Sequence, residues 1–272
     1  MGEEARRHQV KIGTDVELIA VDGNGIPRSV IGLIDGTKSN PSKTEHGWIQ
    51  VDNVLVEFNS SPVDLVEGGE NEFVKSVHSV LDDVSNHLAV HGLSYVALGS
   101  AEYEEEELSH PSALIAGCEP DFDIWVLAVN EKPNISSSPL RTAGGHIHVS
   151  FEGGNELAEV VPAVKAMDAF LGLPSLFLDK DQRRRSLYGK AGCFRTKEYF
   201  PGVHGIEYRS LSNFWVGNKA LTEWVYKATK EAMDRRHEVE WDEDIPTIIN
   251  THSLDRAASI MNKLGIEVPC TT

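Results

Sequence analysis

The chain has 272 residues, of which 40% are hydrophobic and 25% charged, and its formal net charge is −17. These values are typical of a soluble globular protein with a substantial core, and we expect one domain over residues 1–272. So acidic a surface repels nucleic-acid backbones and anionic membranes, which excludes both as general partners.

The cysteines indicate a reducing compartment. Cys118, Cys193 and Cys270 are widely spaced, odd in number and form no CxxC pair. The first fifteen residues, MGEEARRHQVKIGTD, contain no apolar segment typical of a signal peptide, and we find no apolar run that approaches the length of a bilayer span. We therefore expect a cytoplasmic protein.

The first part of the chain predicts strands around one long helix. In chain order we predict a strand at 8–21 broken at Gly13, a hairpin turn at 22–25, one strand or a tight strand pair at 47–58, a helix at 70–91 and a strand at 93–100. The strands are predicted from alternating apolar residues, and the helix from apolar residues that recur every three or four positions.

The second part predicts longer loops and three further helices. In order we predict an irregular region at 110–140, a strand ended by glycines at 144–154, a helix at 156–177, a long basic loop at 180–205, a strand at 206–215, and helices at 217–237 and 253–264. This order predicts an α+β domain, with an antiparallel sheet and two or three helices behind it.

Four of the predicted strand segments carry ionisable side chains where solubility alone does not require them. They are Asp15 with Glu17, Asp52 with Glu57, His146 with His148, and Glu207 with Arg209. In three of these pairs the spacing is two residues, which places both side chains on the same face of a strand. Strands that present carboxylates, imidazoles and a guanidinium group to one concave face would form a metal-binding pocket.

The types of side chain indicate which metal to expect. Carboxylates outnumber imidazoles, and no cysteine lies in these segments. Oxygen ligands with an occasional imidazole suit Mg²⁺ or Mn²⁺, and they disfavour a closed structural zinc site. Bound divalent cations would also allow an acidic protein to hold nucleotide phosphates.

The predicted basic loop adds possible phosphate ligands. Its basic residues surround two glycine-containing pairs, Tyr188-Gly189 and Ala191-Gly192. They are Arg183, Arg184, Arg185, Lys190 and Arg195. Guanidinium groups match phosphate oxygens in a two-pronged geometry.

Each motif taken alone has a simpler explanation. A His-x-His strand can be structural, Asp15 and Glu17 can form the polar face of an edge strand, and an arginine run is usually a surface patch. The spacing of Glu207 and Arg209 also fits a salt bridge. Glu57 differs because apolar residues flank it, and burying a carboxylate is costly unless it is paired or bound to metal. The coincidence of the motifs supports a site.

The order of the motifs resembles the glutamine synthetase and glutamate–cysteine ligase superfamily, and in particular the phage-encoded COOH–NH2 ligase (amidoligase) group. The segments that carry the resemblance are GTDVE, HGWIQVDNVLVEFNSSP, the glycine-preceded HIHVS, RRRSLYGKAGCFR and IEYRSLSN, within roughly residues 10–215. Two features depart from the family pattern. Asp15 stands where glutamate is usual, and the spacing from Asp52 to Glu57 is short.

The resemblance implies a fold and an activity. The implied fold is a curved antiparallel sheet like the catalytic domain of glutamine synthetase, with helices packed on its outer face. The implied activity joins a carboxylate to an amine through an acyl phosphate, with ATP as cosubstrate and Mg²⁺ or Mn²⁺ as cofactor. The substrates would be small-molecule or peptide carboxylates and amines. If the protein is phage-encoded, it would act in the host cytoplasm.

The resemblance also implies roles for individual residues. The implied metal ligands are Asp15, Glu17, Glu57, His146 and Glu207. The implied catalytic residues are Arg209, Arg195 and Glu57. The implied contacts to ATP or substrate are Arg185, Lys190, His148, Tyr188 and Arg184.

Three other functions remain open on the sequence. A guanidino-type phosphotransferase of the same fold would phosphorylate a nitrogen and release no free phosphate. A cupin-like metalloenzyme would use the two histidines and a glutamate without ATP, but it would leave Asp15, Glu17 and the arginines unexplained. A non-catalytic binding module would keep the fold alone, and the intact acidic residues argue against it.

Overall fold

A computed structural model describes residues 10–115, 121–151, 157–238 and 240–270. Most of the N-terminal segment considered as a signal peptide lies outside these residues, and so does Cys118. Cys193 is buried and Cys270 is exposed, and both are free thiols.

The strands form a large sheet and a separate pair. They are β1 (Lys11–Val21), β2 (Pro27–Arg28), β3 (Ser42–Lys43), β4 (Gly47–Asp52), β5 (Leu55–Ser60), β6 (Val63–Asp64), β7 (Ser94–Val96), β8 (Ser100–Glu102), β9 (Phe122–Asp123), β10 (Ala128–Val129), β11 (Leu140–Thr142), β12 (Gly145–Phe151), β13 (Cys193–Phe200) and β14 (Val203–Tyr208). The large sheet has the order β10-β9-β13-β14-β12-β1-β5-β4-β3, and β2, β6 and β7 also pair with β1. Neighbouring strands run antiparallel throughout this order.

The helices lie against one face of this sheet. They are α1 (Glu70–Ala89), α2 (Leu157–Met167), α3 (Leu173–Leu178), α4 (Arg183–Leu187), α5 (Lys219–Arg235), α6 (Ile245–Asn250) and α7 (Leu254–Leu264). Helix α1 packs on β1 and β5, α2 packs on β14, and α5 crosses over both helices. The predicted α+β class, with an antiparallel sheet and helices on one face, is confirmed.

Strand β1 separates the core from a cavity. Ile12, Val16 and Leu18 are fully buried among the helices. Because side chains alternate along a strand, the residues between them face the other way. Asp15 and Glu17 accordingly line an open cavity on the opposite face.

A second, smaller core limits this cavity at one end. Beyond Glu17, the side chains of Ile19 and Val21 pack with Val54 and Tyr103 under the two-stranded sheet β8–β11. The face of β1 that begins as a polar cavity wall therefore ends as buried apolar surface.

Several predicted boundaries were wrong. Strand β1 runs unbroken through Gly13, which pairs with His148. Residues 47–58 form a strand pair, and the turn includes Asn53 in the left-handed region at φ 56°. The region 110–140 contains a 3₁₀ helix (Pro111–Leu114) and short strands, and α6 was not predicted.

The predicted basic loop at 180–205 was also wrong, because it contains helix α4, strand β13 and the start of β14. Its charged residues concealed the strand. Arg195 and Lys197 point into a cavity, and the residues that alternate with them face outward. Because the inward side chains are cationic rather than apolar, the usual alternation of apolar and polar positions is missing.

One helical segment is long and apolar enough to cross a membrane. Helix α2, a π-helical turn (Asp168–Gly172) and α3 form a continuous run, Leu157–Leu178, of 22 residues with mean hydropathy 1.4. The expectation that no apolar run approaches this length was therefore wrong. In its most apolar window, 78% of the segment is buried inside the protein, which is typical of a core helix.

Candidate active site

A cavity of about 980 Å³ lies on the open face of the large sheet. The predicted site residues that line it are Asp15, Glu17, Glu57, His146, His148, Arg195 and Arg209. Glu207 lies directly beneath, fully buried, and is paired with Arg209. The sheet therefore brings together all the predicted metal ligands and both predicted catalytic arginines.

The first group of ligands forms an imidazole cluster, defined as Asp15, His146, His148 and Glu207. The strand register places Asp15 opposite His146 and places His148 opposite Glu207. Asp15 lies between the two rings: its Oδ1 is 2.8 Å from Nδ1 of His146, and its Oδ2 is 3.2 Å from Nε2 of His148. Nδ1 of His146 is also 3.6 Å from Oε1 of Glu207.

Cationic side chains already surround Glu207. Its carboxylate is 2.9 Å from Nζ of Lys197 and 3.5 Å from Nη1 of Arg195, and it also pairs with Arg209. All of these groups come from β13, β14 and the residue that follows β14. The strands themselves therefore supply both the charge and its neutralisation.

Two further residues orient the Arg209 guanidinium. Its Nε lies 2.5 Å from the hydroxyl oxygen of Tyr188 and 3.3 Å from Oδ2 of Asp121. Tyr188 was predicted as an ATP or substrate contact. In the structure it lines a small neighbouring cavity and binds Arg209.

The second group forms an acidic cluster, defined as Glu17, Asp52 and Glu57. Glu17 and Glu57 are opposite each other on β1 and β5, and Asp52 ends the adjacent β4. Their ligand atoms lie within 4.8 Å of one another. The short spacing between Asp52 and Glu57 is explained by the hairpin, which returns both side chains to the same cavity.

Each member of the acidic cluster has a polar partner. Gln50 Nε2 donates to Glu57 Oε1 at 2.9 Å, and the Gly144 backbone N–H donates to Glu17 Oε2 at 2.6 Å. The partner of Asp52 is Lys38, whose Nζ is 2.8 Å from Oδ2.

The two glycines before His146 make room for close packing. A Cβ atom on Gly144 would lie 2.2 Å from Nε2 of His146, and one on Gly145 would lie 2.6 Å from Nε1 of Trp215. Any larger residue would displace the histidine ring or the strand. The sequence GGHIH therefore fixes the position of the imidazoles.

The clusters differ in their acidity. Burial acts to raise the pKa of Asp15, but the electrostatic interactions and hydrogen bonds with His148 and His146 outweigh it and hold that pKa well below its ordinary value. Burial and the nearby Asp52 raise the pKa of Glu17 to about 7. Burial, with the charges of Asp15 and Asp52, raises the pKa of Glu57 well above its ordinary value.

The residues fit a hard divalent cation. Neighbouring ligands of an octahedral ion with bonds of about 2.1 Å are separated by about 3 Å, which is close to the observed 2.8–3.6 Å between imidazole and carboxylate atoms. Nε2 of His146 and Nε2 of His148 are buried and accept or donate no hydrogen bond among the described residues. Carboxylate and imidazole donors without thiolates match Mg²⁺ or Mn²⁺.

Three predicted ATP or substrate contacts line neither this cavity nor the small neighbouring one. Arg184 is buried and donates to the carbonyl oxygens of Ser210 and Arg209, each at 3.0 Å. Arg185 is buried and donates to Oγ of Ser175 at 2.8 Å. Lys190 is exposed, outside the lining of either cavity.

Helix α4 explains these placements, because it turns two consecutive arginines into the core. The predicted loop would instead have left them available to a ligand. In these positions Arg184 holds the backbone at Arg209 and Ser210, whereas Arg185 holds the side chain of Ser175.

Sequence reasoning missed several cavity residues, among them Lys38, Gln50, Lys197 and Tyr199. The period of two from Arg195 through Lys197 to Tyr199 was a usable signal, as was the spacing of Gln50 from Asp52. Lys38 lies on an exposed loop, where no periodic pattern identifies it.

Residues 136–248 match the model of the phage phiEco32-like COOH.NH2 ligase-type 2 family. The resemblance inferred from the motifs is thus confirmed, and this match includes His146, His148, Glu207 and Arg209. No curated protein matches the sequence.

Solved structures of ligases resemble the fold. A bifunctional glutathione synthetase from Pasteurella multocida has a TM-score of 0.53 at 10% identity, over 95% of this chain and 45% of that one. "Apo GmaS without ligand" has a TM-score of 0.48 at 13% identity, over 94% and 65% of the two chains. The glutamine synthetase of Plasmodium falciparum has a TM-score of 0.41 at 8% identity, over 83% and 52%.

The chain spans less than two thirds of the length of each of these structures. The likeness therefore concerns the fold, a large antiparallel sheet with helices similar to glutamine synthetase-like ligase folds.

Proposed function

We propose that the protein is an ATP- and Mg²⁺-dependent carboxylate–amine ligase that forms an amide or peptide bond through an acyl phosphate. The observation that carries the proposal is the composition of one cavity, in which two imidazoles and five carboxylates meet five cationic side chains. The family match of residues 136–248 supports the same reaction class.

The reaction has two steps. A carboxylate oxygen of the first substrate attacks the γ-phosphorus of ATP, the bond to the β,γ-bridging oxygen breaks, and ADP leaves. The amine of the second substrate then attacks the acyl carbon, the carbon–oxygen bond breaks, and phosphate leaves as the nitrogen loses a proton. ATP is required because it converts a poor leaving group into phosphate.

The charges in the cavity support a need for added cations. The carboxylates are Asp15, Glu17, Asp52, Glu57 and Glu207, and the cationic side chains are Lys11, Lys38, Arg195, Lys197 and Arg209. With all five carboxylates ionised these sets balance, so the negative charges of ATP would be left uncompensated. Mg²⁺ held by the imidazole and acidic clusters would supply the missing positive charge.

The protein's own residues have the following proposed roles. Arg195 and Arg209 lie where they would stabilise charge on the transferred phosphoryl group. Tyr188 orients Arg209. Glu57 holds metal and remains the proposed catalytic carboxylate of the acidic cluster. Arg184, Arg185 and Lys190 line neither cavity, and their contact with ATP or substrate, implied by the resemblance, stays a prediction outside this mechanism.

We propose further that the enzyme acts in the cytoplasm, in the host cytoplasm if the chain is phage-encoded. The acidic surface argues against nucleic acid as a general substrate. Small-molecule or peptide carboxylates and amines fit a cavity of about 980 Å³.

Thermal stability tests the cofactors first. Wild type and His146→Ala are melted with a non-hydrolysable ATP analogue, with Mg²⁺, with both, and with Zn²⁺ or Fe²⁺ alone. Ligand at about one hundred times its Kd should stabilise wild type by roughly 2.7 kcal/mol. We expect a shift that needs nucleotide and Mg²⁺ together and is lost in the variant. A shift with the transition metal alone would instead favour a cupin-like enzyme.

Product analysis then separates a ligase from a phosphotransferase. Carboxylates and amines are supplied in pairs with ATP, and free phosphate is measured together with the amide. A ligase releases one phosphate for each amide formed, whereas a guanidino-type kinase forms a phosphorylated nitrogen and releases no phosphate.

A further inference from the structure

The hydroxyl group of Tyr199 determines where the ring proton of His148 lies. This hydroxyl donates to the backbone carbonyl of Ile206 at 2.9 Å, and it lies 3.0 Å from Nδ1 of His148. A tyrosine hydroxyl has one proton, and a carbonyl oxygen cannot donate. Because its proton is used on Ile206, the hydroxyl must accept a hydrogen bond from Nδ1–H of His148.

The other ring nitrogen is thereby left facing carboxylates. With its proton on Nδ1, a neutral His148 has a lone pair on Nε2, which is buried and 3.2 Å from Oδ2 of Asp15. Ligand atoms of Asp15, His148 and Glu207 lie within 4.8 Å of one another. Two electron-rich atoms held that close favour a cation between them.

The neighbouring His146 has a different environment. Its Nδ1 is 2.8 Å from Asp15 Oδ1 and 3.4 Å from Nη1 of Arg209. The guanidinium group of Arg209, a permanent positive charge, therefore already lies beside the ring of His146. Nε2 of His148 instead faces a carboxylate oxygen, Oδ2 of Asp15.

A β-bulge in β13 helps to place Tyr199 at this position. The register of β13 against β14 shifts between Glu198 and Phe200, so Tyr199 falls at a bulge, which re-aims a side chain. Its ring also lies close to Gly205, where a Cβ atom would be 2.8 Å from Cε2 of Tyr199. Bulge and glycine together place the hydroxyl against His148.

We propose that Tyr199 is a positioning residue that fixes the His148 tautomer, so that Nε2 of His148 binds the divalent cation together with Asp15 and Glu207. The inference rests on the proposed function, because it presumes a metal in this cavity. It differs from the role implied by the resemblance, in which the first histidine is the metal ligand and the second a neighbour. Partners that orient a metal-binding histidine typically change metal affinity by about 10- to 100-fold.

Mn²⁺ serves as the probe, and free and bound ion are distinguished by electron paramagnetic resonance. We expect Tyr199→Phe to weaken Mn²⁺ binding about tenfold, and His148→Ala to weaken it further. The melting temperature without metal should change little in Tyr199→Phe. Tyr95→Phe, which removes a hydroxyl from β7 outside the cavity, is the matched control and should bind as wild type does.

The ring tautomer supplies a second readout that a purely structural role would not change. Nitrogen-15 shifts of His148 should report the Nδ1–H form in wild type and a mixture of tautomers in Tyr199→Phe.

The outcomes separate the two proposals. If wild type binds no Mn²⁺, the proposed function fails. If wild type binds it but Tyr199→Phe binds equally well with an unchanged tautomer, the role of Tyr199 is refuted while the metal site stands. If His146→Ala abolishes binding and His148→Ala does not, His146 is the ligand and the inference is overturned.

Discussion

The imidazole cluster and the acidic cluster share one cavity and one strand, yet their negative charge is neutralised in different ways. In the imidazole cluster, Arg195, Lys197 and Arg209 approach Glu207 from the sheet itself. In the acidic cluster, among the described residues, the cation that pairs with Asp52 is Lys38, which comes from an exposed loop.

The pKa values follow this difference. Asp15, in the imidazole cluster, has its pKa held well below the ordinary value, because two histidines outweigh the effect of burial. Glu17 and Glu57, in the acidic cluster, have raised pKa values because they are buried close to other carboxylates. The imidazole cluster is thus organised by the fold, whereas the carboxyl groups of the acidic cluster resist ionisation, and a divalent cation would relieve the repulsion between their ionised forms.

The largest effect that tests this comparison is expected from Glu17→Gln. We expect ATP turnover to fall at least about 100-fold, because a neutral amide is a weaker ligand for Mg²⁺ than a carboxylate and cannot balance its charge. The melting temperature should not fall, since the substitution removes a buried carboxyl that is costly to ionise. Turnover and melting of Glu104→Gln, an exposed carboxylate, provide the control. If Glu17→Gln turns over ATP as fast as wild type, the assignment of Glu17 as a metal ligand is wrong.

The second test concerns the support beneath the imidazole cluster. Arg184→Met should destabilise the fold by about 2–4 kcal/mol, because two buried carbonyl oxygens, of Ser210 and Arg209, lose their donors. Arg195→Met should destabilise the fold less than Arg184→Met, because Lys197 and Arg209 still pair with Glu207, while turnover collapses. Urea unfolding and turnover of both variants check this contrast. Normal stability of Arg184→Met, with a raised KM for ATP, would return Arg184 to the nucleotide site.

Local patterns were sufficient for the central strands and for the predicted metal ligands. A strand alternates its side chains whatever its neighbours are, so Asp15 with Glu17 and His146 with His148 could be assigned to one face. The order of the motifs along the chain then indicated that the separate strands contribute to one site. The central strand and the predicted metal ligands depended on these two signals alone.

The remainder depended on contacts that no short pattern records. Helix α4 turns Arg184 and Arg185 inward, where acceptor atoms are available. Arg184 donates to the carbonyl oxygens of Ser210 and Arg209, and Arg185 donates to Oγ of Ser175. Lys38 enters the cavity from a loop whose course is set by tertiary packing. Strand β13 was missed because its inward face is cationic rather than apolar, so a functional surface obscured the usual signal of a strand.

A smaller effect is expected from pH, and it should be specific to the acidic cluster. The pKa of Glu17 is raised from 4.5 to about 7, so its contribution to stability is present below about 4.5 and is lost as the pH rises through about 7. Without metal, the protein should therefore be less stable at pH 8 than at pH 6. The slope for one such group is at most about 1.4 kcal/mol per pH unit.

Mg²⁺ should reverse this trend, because it binds the ionised carboxylate. The stabilisation by Mg²⁺, measured as the difference in melting temperature with and without the ion, should grow between pH 6 and pH 8. The difference is the appropriate readout because burial also raises the pKa of Asp168, outside the cavity, to about 7. In Glu17→Gln the pH dependence of the Mg²⁺ increment should flatten. An increment that is equally steep in this variant would contradict the assignment to Glu17.

The smallest effect is expected from Lys38→Met, and it addresses the comparison most directly. The ammonium group of Lys38 lies 2.8 Å from Asp52, where a divalent cation bound to the acidic cluster would compete with it. Removing the ammonium should therefore tighten Mg²⁺ binding about threefold, a gain of the size expected for one partly exposed ion pair. Titration calorimetry of wild type, Lys38→Met and Lys43→Met, a nearby lysine outside the cavity, measures the change. Weaker binding in Lys38→Met alone would mean that this lysine helps to organise the acidic cluster, and that both clusters carry their own cations.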